Sequence, residues 1–183
     1  FNTGLAHFIM GQYPQAADFF SKVVERRWKS PAAMALLAHS LFKTGRFENA
    51  RIAFDTLASG DPHNLAARFN TGVCFLSEKK NQEAVGAFAA VLQASPDDAE
   101  ALAARGMAYW LLNQRTEAFK DLSAAIRLQP SHLAYRGLRG IMTFQAGLFD
   151  KAIEDVEIIS RLQPENLVYR DLLSGIRRQL GGL

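Results

Sequence analysis

The chain has 183 residues, is 49% hydrophobic and 21% charged, and carries a formal net charge of +3. That composition supplies an ample core, contains no apolar run long enough for a membrane-spanning helix, and with its single Cys74 excludes an internal disulfide framework. Lysines and arginines are spread over both halves without a basic run or tail, which argues against nucleic acid or an anionic membrane surface as partner.

Pro62, Pro96, Pro130 and Pro164 stand 34 residues apart and set a register for the whole chain. A fixed period of this length marks stacked supersecondary units, none of which can bury its apolar face alone. Residues 1–30 enter that register first. Phe1-Asn2-Thr3-Gly4 matches Phe69-Asn70-Thr71-Gly72 two periods on, and Ala16, Phe20 and Val23 complete the window, with Trp28 in the place of the proline. Full repeats follow at 31–64, 65–98, 99–132 and 133–166. Their first helices are predicted at 31–44, 65–78, 99–112 and 133–146, and their second helices at 48–60, 82–94, 116–128 and 150–162. Residues 167–183 supply one more helix, whose Arg177, Arg178 and Gln179 provide the polar outer side that a terminal cap needs. Because the sequence opens inside a helix without an initiating methionine, it is expected to be part of a longer protein.

The columns have a steric logic. Alanine lies twelve residues before each proline (Ala50, Ala84, Ala118, Ala152), and a small residue another twelve back (Ala38, Gly72, Gly106, Gly140). These are predicted to meet where the two helices of a repeat cross, since larger side chains would push the axes apart. Phe54, Phe88, Leu122 and Val156, with Leu57, Val91, Ala125 and Ile159, are predicted to fill the space toward the next repeat. Proline is predicted to end each second helix and to be able to begin the next one. Gly45, Asn113 and Gly147 suit the turn between paired helices, and Lys79 is the exception in that column.

Arg105 and Arg139 share one column, and Asp121 and Asp155 another, so an ion pair inside each of those repeats is expected. The earlier repeats carry neither charge. Arg68, Arg136 and Arg170 are expected to pack their stems and leave their heads in water. Glu78-Lys79-Lys80 reads as a solvated helix end. Cys74 reads as a small buried apolar residue. His7, His39, His63 and His132 lack ligand partners at metal spacing. No phosphate loop or nucleophile motif is present, so neither cofactor, metal nor catalysis is expected.

With four columns recurring in consecutive windows without insertion, the chain resembles the tetratricopeptide repeat family over its whole length. The resemblance implies an all-α, right-handed superhelical solenoid, a single array over residues 1–183. It also implies a concave wall built from first helices, with inward columns holding Phe1, Asn2, Leu5 and Phe8; His39, Phe42 and Lys43; Phe69, Asn70, Val73 and Leu76; Glu100, Met107 and Trp110; and Ile141, Phe144 and Gln145. Asn2 and Asn70 occupy a column that holds a peptide backbone in some members. Leu36, Ala104 and Leu138 interrupt it, and the lysine columns of a chaperone-tail clamp hold Ala32, Ala35, Ala66 and Phe69. The function implied is a non-catalytic scaffold or adaptor that binds a peptide, an amphipathic helix or an apolar-anchored segment of a protein partner, in the cytoplasm. The alternatives are a substrate-docking domain of a larger enzyme and a structural segment that self-associates as a homo-oligomer.

Overall fold

The computed structural model describes residues 1–26 and 30–181, and Trp28 lies outside them. Every regular element among the described residues is a helix. The chain forms two compact units, Phe1–Pro96 and Asp97–Leu183. The first contains α1 (Asn2–Ile9), α2 (Tyr13–Glu25), α3 (Pro31–Lys43), α4 (Phe47–Gly60), α5 (Leu65–Ser77) and α6 (Asn81–Ala94). The second contains α7 (Ala99–Leu111), α8 (Arg115–Leu128), α9 (Leu133–Gln145), α10 (Phe149–Leu162) and α11 (Leu167–Gly181).

Helices pair as hairpins: α1 with α2, α3 with α4 and α5 with α6 in the first unit, α7 with α8 and α9 with α10 in the second. Each hairpin turns in the same way. One residue after the first helix adopts positive φ: Gly11, Gly45, Lys79, Asn113 or Gly147. The next N–H then donates back to the carbonyl five residues earlier, as from Gln12 to His7, Arg46 to Leu41, Lys80 to Phe75, Gln114 to Tyr109 and Leu148 to Thr143. This is a Schellman closure, which satisfies carbonyls that the helix end would otherwise orphan.

The crossing columns meet as their sizes require. Ala50, Ala84, Ala118 and Ala152 are all fully buried, as is Ala38. A methyl built on Gly106 would lie 3.1 Å from the Ala118 carbonyl and 3.2 Å from Leu122 Cγ; one on Gly140 would lie 3.0 Å from Val156 Cγ2. One on Gly72 would overlap the ring of Phe88 at 2.6 Å. Phe20, Leu37, Leu41, Phe54 and Cys74 belong to one core cluster of the first unit; Val156 and Ile176 anchor one in the second, with Phe144, Phe149, Tyr169 and Leu173 packed on it.

The prolines do not begin helices. Each of the four lies in the turn after a second helix, and the next helix starts three residues later. The N-cap column is Ser30, Asn64 and Asp98, whose side chains accept from the N–H groups of Ala33, Ala67 and Ala101. These oxygens satisfy donors that proline cannot reach. Pro31 and Pro14, outside the 34-residue series, are the ones in a helical first turn.

Candidate functional site

The candidate residues sit on the first helices. On α5, Phe69, Asn70, Val73 and Leu76 follow at spacings that share one face, and all four are partly buried. Met107 and Trp110 on α7, and Ile141 and Phe144 on α9, are also partly buried. Asn2, His39 and Lys43 are exposed.

Several of these side chains have partners inside their own hairpin. Phe8 meets Tyr13 edge-on at 5.6 Å between ring centroids, Phe42 meets Phe47 at 5.2 Å, and Phe144 is tilted against Phe149 at 5.6 Å. Each pair bridges the turn at a separation of five residues. Tyr13, Phe47 and Phe149 recur on the period, a signal present in the sequence that column reading of the first helices alone passes over. Trp110 leans instead on Phe119 at 5.9 Å, and the Arg115 guanidinium lies 5.7 Å from the indole centroid. Phe69 is tilted over Phe88, and His39 meets Phe54 edge-on while its Nδ1 lies 2.8 Å from the Ala35 carbonyl oxygen.

Asn70 spends its amide donor on its own helix, Nδ2 donating to the Ala66 carbonyl at 2.8 Å. Its side-chain oxygen has no hydrogen-bond partner among the described residues. Nδ2 keeps a second N–H, so the residue still offers a ligand one donor beside the acceptor, the pair that backbone clamping uses.

The charged columns are internal. Arg105 grips Asp121 with two parallel bonds, Nε to Oδ2 at 2.7 Å and Nη2 to Oδ1 at 2.9 Å. Hydrogen bonding to Asp121 raises the Arg105 pKa above its ordinary value despite partial burial. Arg139 holds Asp155 in the same way, at 2.6 and 2.9 Å, and its third nitrogen donates to Ser123 Oγ on α8 at 2.8 Å. Arg136 departs from expectation. Its head is not solvated but donates to the fully buried Asp155 at 3.2 Å, because that carboxylate has an oxygen within reach of the preceding turn of α9.

A second cluster joins α4 to α5. Arg51 pairs with Asp55 at 3.1 Å and lies 3.4 Å from Glu78, while Lys80 reaches Glu78 at 2.6 Å. Glu78 is thus largely covered rather than a solvated helix end, since Arg51 and Lys80 close over it. Thr71 donates to Asp55 at 2.8 Å. Thr71 and Asp55 stand two periods before Arg139 and Ser123, so one inter-hairpin contact is made in the same donor-to-acceptor direction with the charge moved from the acceptor to the donor. Cys74 is fully buried beneath this cluster, and desolvation, then Glu78, push its thiol up to about 12.

Two cavities are lined by other residues. One of about 400 Å³ is lined by Val24, Pro31, Met34, Leu57, Gly60 and Asn64; another of about 280 Å³ by Phe119, Ser123, Arg139, Thr143, Lys151 and Glu154. Neither includes a candidate binding residue.

A family model of the tetratricopeptide repeat matches residues 35–99 and 103–166, more than half of the chain and in the same register as the hairpins. The chain belongs to the tetratricopeptide repeat family. Among solved structures, it is similar to a tetratricopeptide repeat protein from Parabacteroides merdae ATCC 43184 at 16% identity and a TM-score of 0.83, over 98% of this chain and 72% of that one. It is similar to the 41-to-end segment of MamA from Desulfovibrio magneticus RS-1 at 21% identity and a TM-score of 0.80, over 90% and 93%. YrrB, described as a tetratricopeptide protein with an unusual peptide-binding site, aligns at 26% identity and a TM-score of 0.70, over 74% of this chain and 70% of that one. No curated protein matches. Repeats of this family build protein-interaction scaffolds and are generally non-catalytic. No helix among the described residues is long and apolar enough to cross a membrane.

Proposed function

We propose that this chain is an interaction scaffold or adaptor that holds a peptide or amphipathic helix of a partner protein against the columns of its first helices that were predicted to face inward. The carrying observation is the chemistry left over on those columns. In the unit Phe1–Pro96, Phe69, Val73 and Leu76 on α5 are apolar yet only partly buried. In the unit Asp97–Leu183, so are Met107 and Trp110 on α7 and Ile141 on α9, while Arg105 and Arg139 are consumed by internal aspartates. In either unit, columns with apolar anchors and few charged contacts suit an apolar-anchored segment better than an acidic tail. The peptide-binding description of YrrB supports a peptide as the ligand class.

Mutation of the anchors tests the reading. Peptides selected on the whole chain from a display library should lose affinity by about 2 kcal/mol in Trp110→Ala, because large aromatics carry a disproportionate share of binding energy. Asn70→Ala should cost about 1 kcal/mol of binding and leave melting nearly unchanged. Helicity and melting are measured beside affinity, so that loss of fold is separated from loss of contact. Folded variants that bind as tightly as the parent would move the site away from these columns.

A further inference from the structure

The residue that opens each second helix reads Tyr13, Phe47, Asn81, Arg115 and Phe149 along the period. In three hairpins it is an aromatic ring closing on the ring five residues earlier. In α7–α8 it is a cation. Arg115 places its guanidinium 5.7 Å from the Trp110 centroid and is exposed. Arg51, Arg105, Arg136, Arg139 and Arg177 each meet a carboxylate. Arg115 is one of several described arginines that meet none, and among those it is the one that lies against an aromatic ring. Glu117, two residues on, is not in ion-pair contact with it.

A guanidinium against an aromatic face remains able to present its planar donor edge to a carboxylate. Beside it are Leu111, an exposed apolar side chain at 52%, and the partly buried Met107 one turn back on α7. An apolar patch is thus bordered by a cation that has no internal counter-ion.

We propose that this edge of α7–α8 binds a partner segment whose apolar anchor, seated on Met107, Trp110 and Leu111, is closely followed by an aspartate or glutamate that pairs with Arg115. The inference rests on the reading that the first-helix columns bind a peptide, and it adds the charge that the peptide must carry. The contact differs from a chain-terminal clamp, since the carboxylate belongs to a side chain within the segment.

Short random peptides displayed on phage, selected on the whole chain and on Arg115→Gln, Arg115→Glu and Arg115→Lys, test it. The parent and Arg115→Lys should enrich Asp or Glu next to Leu, Ile, Phe or Trp. A peptide so selected and then synthesised should bind Arg115→Gln about two- to five-fold more weakly, the range of an exposed ion pair. Arg115→Glu should reverse the flanking preference to Lys or Arg, an inversion that a merely structural role would not produce. Circular dichroism should show that all three variants keep their helicity. Apolar peptides without an acidic preference, or an acidic preference unchanged in Arg115→Glu, would overturn the assignment while leaving the peptide-binding reading in place. No enrichment on any variant would overturn both.

Discussion

Asp155 is fully buried and carries both Arg136 and Arg139, so three charges depend on one side chain. Asp155→Ala strands two guanidinium groups of which only about a fifth is exposed, and should destabilise the fold by about 3 kcal/mol in urea melts. Ser123→Ala removes only one bond to Arg139, and should cost about 1 kcal/mol. Cys74 offers a pH test. Its thiol rises from 9.0 to about 12 in the fold, so the unfolded chain releases its proton first as pH increases. The stability Cys74 contributes is therefore complete below pH 9 and lost as pH rises from there toward 12. The stability difference between the parent and Cys74→Ala should shift against the parent over that window, and stay flat below it.

Among elements, α11 shows most directly how one residue places a helix. The hydroxyl end of Tyr169 occupies the space where a side chain on Gly137 of α9 would be. Gly137→Ala must displace that ring, so amide exchange in α11 should quicken while α3 and α4, in the other unit, keep their protection. Most helix boundaries were legible in advance: 65–78 became Leu65–Ser77, and 116–128 became Arg115–Leu128. They were legible because glycine and alanine recur wherever helices cross, and a crossing fixes phase. The first helices start where the register put them, at Pro31, Leu65, Ala99 and Leu133. What spacing did not reveal is that Asn64 and Asp98 cap two of them through side-chain oxygens, a place the prolines were expected to take. Gly72 provides a check on phase. Its alanine variant drives a methyl into Phe88 and should cost about 1–3 kcal/mol, more than the same change at Gly86, where a methyl would meet nothing.

Across the whole molecule, periodicity conveys the scaffold much better than the site. A 34-residue interval reports what every repeat must do, which is why the crossing columns and the arginine–aspartate pairs could be read from spacing. Binding chemistry is sought in what one repeat does differently, and the proposed contact rests on such a departure, Arg115 in a column that otherwise holds Tyr13, Phe47, Asn81 and Phe149. The aromatic column of Phe8, Phe42 and Phe144 carries both messages, because the rings that look like contacts also close hairpins. The five hairpin turns give the periodicity a further use. Gly11, Gly45 and Gly147 take the left-handed conformation without a steric cost, while Asn113 and Lys79 take it with a Cβ, at φ near 59° and 60°. Nature has thus left a graded substitution series inside a single polypeptide. Lys79→Gly should raise the melting temperature by relieving up to about 1 kcal/mol of strain, Asn113→Gly should raise it less, and Gly45→Lys should lower it. One chain thereby serves as its own reference scale for what a left-handed residue costs.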